Sequence, residues 1–99
     1  MRIISQRRLR EFWQVHPGAE VSLQAWCKVV GASAWNDFAQ LRATFPNADQ
    51  VGRLLVFNVA GNRFRLIARI ECQWQKVFVR QVLTHDDYDR ESWKRDPWI

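Results

Sequence analysis

An α+β fold, with N-terminal helices packed on one face of a small antiparallel sheet, is predicted by a change of hydrophobic period along the chain. Up to about residue 46 the apolar residues recur at helical spacing. From Arg53 onward they alternate with period two, among β-branched and aromatic side chains dense enough to indicate strands. The 99 residues, 47% apolar with six Trp and six Phe, suffice for two packed layers and for one domain spanning residues 1–99. Helices first and strands later leave one sheet face covered and the other free.

The elements follow in order. Arg2–Ile4 has the character of a short first strand. Ser5 can cap a helix on which Leu9, Phe12, Trp13 and His16 share one buried face, so His16 is expected to be structural. Pro17-Gly18 ends that helix. A second, over about Ala19–Val30, presents Ala25, Trp26, Val29 and Val30 and closes at Gly31. A third follows Ser33, with Trp35, Phe38, Ala39 and Arg42 on one face, and Phe45-Pro46-Asn47 leads into a loop. Leu54–Val59 is a strand, Ala60-Gly61-Asn62 a hairpin turn, and Arg63–Cys72 and Lys76–Leu83 complete an antiparallel meander. Alternation sends Phe64, Leu66, Ala68 and Ile70 to the core side and Arg63, Arg65, Ile67 and Arg69 to the other, where Arg80 joins them if the register allows.

Composition narrows the classes. No apolar run approaches the roughly 20 residues that cross a bilayer, and Met1-Arg2-Ile3-Ile4-Ser5 is too short and interrupted for a secretory signal. A soluble cytoplasmic protein is expected. Cys27 and Cys72, with no second Cys or His at ligand spacing, indicate core thiols rather than a disulfide framework or zinc site. The net charge is +5, and it is unevenly placed: residues 1–80 hold 12 Lys or Arg against 5 Asp or Glu, the last 19 residues 3 against 5. A basic body favours a polyanionic partner, nucleic acid or acidic protein, although charge alone is equally compatible with a merely soluble surface. The row of arginines on the free sheet face likewise reads either as a cationic binding surface or as a solvated, edge-protecting face.

At the end of the last strand, Thr84-His85-Asp86-Asp87 fits a helix N-cap with an acidic residue at the third helical position, a capping box. Capping accounts for Thr84, Asp86 and Asp87 through the unsatisfied amides and dipole of a helix start, and no metal site is expected from the aspartates. It does not require His85 or Tyr88.

The stretches MRIISQRRLREFW, LRATFPNAD and, most specifically, VFNVAGNRFRLIARI and VRQVLTHDDYD resemble the HigB branch of the RelE-type toxins, over nearly the whole chain. Only the tail RESWKRDPWI, with Trp93 and Trp98, matches no motif of that family. The resemblance implies a small α+β endoribonuclease without cofactor that cuts messenger RNA on the translating ribosome and is neutralised by a cognate helix-turn-helix, HigA-like antitoxin. On the matching positions it implies Arg65, Arg80, His85 and Tyr88 as catalytic residues. Asn58 and Asn62 match as turn and positioning residues.

The chemistry agrees with those residue types. Metal-free RNA cleavage needs a ribose hydroxyl activated for attack, a stabilised phosphorane and a protonated leaving oxygen. Arginine forks pair with two phosphate oxygens, which suits Arg65 and Arg80, with Arg63 and Arg69 as backbone contacts. An imidazole moves protons either way near neutral pH, and a tyrosine stacks, hydrogen-bonds or donates a proton. Lysines are scarce beside those common in this superfamily, since only Lys76 lies near, so proton transfer rests more heavily on His85. Trp13, Trp26 and Trp35 exceed what one small core obviously needs, so part of the helical layer is expected to meet the antitoxin, the equal alternative being that all three are simply core. The alternative is a non-catalytic module that uses the same arginines to hold RNA or an acidic partner.

Overall fold

A computed structural model describes all residues, Met1 to Ile99. Five strands form one sheet: β1 (Arg2–Ile4), β2 (Asp49–Val51), β3 (Leu54–Val59), β4 (Phe64–Glu71) and β5 (Lys76–Thr84), in spatial order β1-β5-β4-β3-β2. Strands β2 to β5 are antiparallel neighbours, and β1 adds to β5 in parallel, with Ile3 opposite Val77. The expected meander is present, extended by β2, which the sequence did not reveal, and by the parallel edge strand.

Three helices cover one face: α1 (Gln6–Val15), α2 (Glu20–Gly31) and α3 (Phe38–Thr44). Ser5 caps α1 as expected, its side chain accepting from the Arg7 amide at 3.1 Å. The third helix starts later than Ser33. Asp37 caps it through the Gln40 amide at 2.8 Å, so Trp35 precedes the helix and is held instead by an Nε1–H donated to Thr44 Oγ1 at 3.1 Å.

The helical layer buries Leu9, Leu23, Trp26, Val30, Trp35 and Leu41 against Leu55, Phe57, Val59, Phe64, Leu66, Ala68, Val77 and Val79. Each fully buried large aliphatic contributes about 2 kcal/mol, so this face is the main driving force. Trp26 and Trp35 are 4% exposed. They are core residues, and Trp13 packs partly buried against the same cluster, so the core alternative and not an exposed interface accounts for the tryptophans. Within α2 the buried stripe is Leu23, Trp26 and Val30; Ala25 and Val29 are exposed. His16 is half-buried and stacks on Phe12, 4.5 Å between centroids, in keeping with a structural role. Cys27 and Cys72 are free and partly buried, and burial raises both thiol pKa values. No helix is long and apolar enough to cross a membrane.

The opposite sheet face is not free. Leu54, Val56 and Ile67 form a second buried cluster with Trp93, flanked by Leu83, Tyr88 and Trp98. The chain after β5 makes the short helix α4 (His85–Asp89) and a 3-10 turn (Ser92–Arg95), then lays its tryptophans over the outer face. Three adjacent apolar outward positions are too much surface to leave wet, and Trp93, 3% exposed, closes them.

Strand β5 carries a bulge. Ile67 pairs with Gln81 and Ala68 with Val79, leaving Arg80 as the extra residue. The insertion resets the alternation, so Val79 and Val82 both join the helical-side core while Leu83 joins the outer cluster.

Candidate active site on the outer sheet face

The Ala60-Gly61 turn, both residues at positive φ, brings β4 back beside β3 and sets Arg65 directly across from Asn58. Arg65 Nη1 donates to the carbonyls of Asn62 and Phe64, each at 3.1 Å, and its guanidinium lies 5.4 Å from the centroid of the Tyr88 ring. Tyr88 in turn stacks on Trp93 at 5.2 Å with 12° between planes, and the Trp93 Nε1–H donates to the Tyr88 carbonyl at 3.0 Å. Arg65 is thus preorganised by an aromatic pair and two backbone acceptors.

His85 opens α4. Thr84 caps that helix through the Asp87 amide at 3.2 Å, and the His85 amide donates to the Arg63 carbonyl at 3.1 Å, tying the helix start to the β3–β4 turn. The side chain is about half exposed, with Nδ1 3.0 Å from Asp89 Oδ2. The two groups are close without hydrogen-bond alignment, so neither ring nitrogen is tied up by this contact. Asp87 pairs with Arg90 at 3.4 Å, and no three His, Cys, Asp or Glu side chains are grouped to hold a metal ion.

Arg80 lies further along the same face. Arg65 is across from Leu83, and Arg80 falls opposite the step between Ile67 and Ala68, so the two arginines come from adjacent strands offset by between two and three residues, or about 8 Å along the strand. Arg80 is not open on all sides. Its Nε and Nη2 donate to Asp96 Oδ2 and Oδ1 at 2.9 and 3.2 Å, and the Trp98 ring covers it with 4.0 Å from Cζ to the ring centroid. The hydrogen bonds from Arg80 hold the Asp96 carboxyl below the usual carboxylate range, against the opposing effect of burial. Arg8 reaches the same region by donating to the Arg80 carbonyl.

The other expected RNA-binding residues divide. Arg69 pairs with Glu71 at 2.7 Å and lies 5.8 Å from the Trp98 ring centroid. Lys76 lines a groove with Trp74, Phe78 and Trp98. Asn58 and Asn62 are exposed beside Arg65. Arg63 departs from the row: it belongs to the turn, its guanidinium lies 5.3 Å from the Phe64 ring centroid on the helical side, and a Cβ at Gly18 would come within 3.0 Å of its Nη2. Strand alternation does not hold in the turn, and Phe64 offers a cation–π seat. Asp96 was missed as a member of this region. Two tryptophans flanking an aspartate in an otherwise polar tail were the available signal, because rings of that size seldom stay in solvent.

A helical layer on a mostly antiparallel sheet, with Arg65, Arg80 and Tyr88 on the far face and His85 at its end, is compatible with a RelE-like α+β fold. A family model described as HigB_toxin, the RelE-like toxic component of a toxin-antitoxin system, matches residues 19–91, and the chain belongs to that family. It is 32% identical over 92 residues to the mRNA interferase toxin HigB of Escherichia coli K12, covering 90% of this chain and 88% of that protein. The mRNA interferase HigB of Shigella flexneri matches to the same extent. The mRNA interferase HigB of Escherichia coli O6:H1 is 28% identical over 93 residues, 91% of this chain and 90% of that one.

Proposed function

We propose that this toxin is a metal-independent endoribonuclease that cuts messenger RNA on the translating ribosome, with Arg65, Arg80, His85 and Tyr88 as its catalytic residues. The observation that carries the reading is the convergence on one face of Arg65 and Arg80 from adjacent strands, with Arg65 held against Tyr88 in the helix that His85 begins. The family and the names of the relatives supply the reaction class.

In the reaction the ribose 2′ oxygen bonds to phosphorus as the bond from phosphorus to the 5′ oxygen breaks. One proton leaves the 2′ hydroxyl and one reaches the departing oxygen. Charge accumulates on the non-bridging oxygens of the phosphorane, where guanidinium donors are worth most. His85 exchanges protons with one of the two oxygens. The Tyr88 hydroxyl, at the edge of the Arg65–Tyr88–Trp93 stack, donates to the phosphate or the second oxygen. Asn58, Asn62, Arg69 and Lys76 hold the flanking RNA backbone, and Arg63 contributes at the turn.

The partner class follows from the family, since a toxic component implies an antitoxin. We assign it a helix-turn-helix, HigA-like character, and place the complex, the message and the ribosome in the cytoplasm. With Trp26 and Trp35 buried, the helical-layer surface suited to the antitoxin is the exposed apolar stripe of Val21, Ala25 and Val29 on α2.

Primer extension on messages translated in extract tests the activity. New 5′ ends that vanish with Arg65→Ala and with His85→Gln, both folded, are expected. Inhibition of translation with intact message would replace the enzyme by a binding module.

A further inference from the structure

We propose that Asp96 and Trp98, in the segment beyond the family match, are positioning residues of the active site that fix the Arg80 guanidinium for phosphate. The inference rests on the reading of Arg80 as catalytic. Arg80 emerges from a bulge, where the ladder does not constrain its direction, so something else must hold it. Asp96 does so with a two-point bond to Nε and Nη2, and Trp98 presses its ring against the guanidinium plane. The clamp is itself secured. The Trp98 amide donates to Asp96 Oδ1 at 2.8 Å, and the Trp98 ring meets the edge of Phe78 at 5.4 Å. The preceding turn is anchored by the buried Trp93.

Two features favour positioning over occlusion. The Asp96 side chain is only 4% exposed while that of Arg80 is 22% exposed, so the carboxylate is on the protein side of the pair and the arginine keeps a solvent-facing portion. Two of its five N–H donors are used, and Nη1 is left for a substrate oxygen. A guanidinium held in this way loses little side-chain freedom when it engages the transition state, which makes its contribution appear in kcat. A displaceable strap would instead need a loosely held tail, and Trp93 is fixed in a second core.

The test compares wild type, Arg80→Ala, Asp96→Ala, Trp98→Phe and Trp98→Ala in single-turnover cleavage on programmed ribosomes, with thermal unfolding of each. Asp96→Ala is expected to lower the maximal rate by about tenfold or more, while the half-saturating concentration stays level or falls, because a negative charge near the RNA has been removed. Trp98→Phe keeps an aromatic face and should retain most of the rate that Trp98→Ala loses. A faster Asp96→Ala enzyme would overturn the inference in favour of an occluding tail, and an unchanged one would overturn it outright. A uniform loss that tracks unfolding, with no split between rate and saturation, would reduce the clamp to a structural contact. If Arg80→Ala itself cuts at the wild-type rate, the catalytic assignment of Arg80 fails rather than the clamp alone.

Discussion

The Arg65 guanidinium lies 5.4 Å from the centroid of the Tyr88 ring, so strand β4 and helix α4 present these two proposed catalytic side chains as one unit. Because Trp93 also stacks on Tyr88, removing the ring and removing its hydroxyl should have separable effects. Tyr88→Ala is expected to cost about 2 kcal/mol of stability as the outer cluster loses a half-buried ring. Tyr88→Phe should leave the unfolding midpoint almost unchanged and lower the cleavage rate by about tenfold or more. Equal cleavage by Tyr88→Phe and wild type would restrict Tyr88 to stacking.

On the proposed mechanism Arg65→Ala removes charge from the transition state, and it does so at small structural cost, since the cation–π contact and two backbone bonds of Arg65 are on a partly solvated face. The expected loss is about 100-fold in rate, the scale of one preorganised donor set, against about 1 kcal/mol in stability. Cleavage within a factor of about three of wild type, with RNA still saturating, would remove Arg65 from the catalytic set.

The helix cap at Thr84 gives a control with the opposite signature. Its hydroxyl satisfies the Asp87 amide, and Thr84→Ala should cost about 1 kcal/mol in denaturant unfolding while changing the rate only slightly. A rate loss comparable to that of Arg65→Ala would mean that the α4 start is part of the chemistry.

What the sequence made legible was local. Ser5 and Thr84 announce helix starts because capping depends on two or three neighbouring residues, and Ala60-Gly61 announces a hairpin because positive φ is a property of the residue. The core side of β4 was readable from alternation, with Phe64, Leu66 and Ala68 buried together. Three features depended on distant partners and were not readable. The parallel seat of β1 beside β5 is set by residues more than 70 positions away. The bulge at Arg80 is a mismatch between two strands, invisible in either alone. The covering of the outer face came from Trp93 and Trp98, whose tail reads as polar until the apolar outward triplet Leu54, Val56 and Ile67 is seen to need a lid. For the site, the sequence placed Arg65, Arg80, His85 and Tyr88 on the outer face or its end, but not the carboxylate that Arg80 already holds.

The proposed antitoxin surface on α2 can be probed without touching the candidate site. Val21 and Val29 are 78% and 39% exposed on α2, away from the outer sheet face. Val21→Glu combined with Val29→Glu should leave unfolding and message cleavage within about twofold of wild type, while weakening neutralisation by the antitoxin by about 100-fold through buried, unpaired carboxylates at the interface. Full neutralisation of the double variant would move the interface elsewhere.

The Asp96–Arg80 pair sets a pH expectation. Asp96 titrates below the usual carboxylate range because Arg80 donates to its charged form. A depressed native pKa adds stability that is fully present above the unfolded value, near pH 4, and is lost as pH falls through the native one. The stability difference between wild type and Asp96→Asn should therefore be constant from about pH 5 to pH 8 and shrink only below about pH 4. A difference that already declines between about pH 7 and pH 5 would mean that another group controls the tail.

His85 and Asp89 provide the sharpest separation of chemistry from support. Their contact is short, 3.0 Å, but both side chains are about half exposed, so water competes for each and Asp89 can orient the imidazole only weakly. His85→Gln removes the imidazole proposed to transfer the proton, and cleavage should fall by about 100-fold or more with folding unaffected. Asp89→Asn keeps a polar group beside Nδ1 and should cost no more than about tenfold, because solvent can replace most of what the carboxylate supplies. The comparison is best made at saturating RNA on programmed ribosomes, where binding differences drop out and the chemical step is read directly. If Asp89→Asn is as damaging as His85→Gln, the two act as a coupled pair and the exposed contact tightens on the ribosome. If His85→Gln cuts at the wild-type rate, proton transfer belongs to Tyr88 or to the RNA itself, and the arginines alone remain of the proposed site.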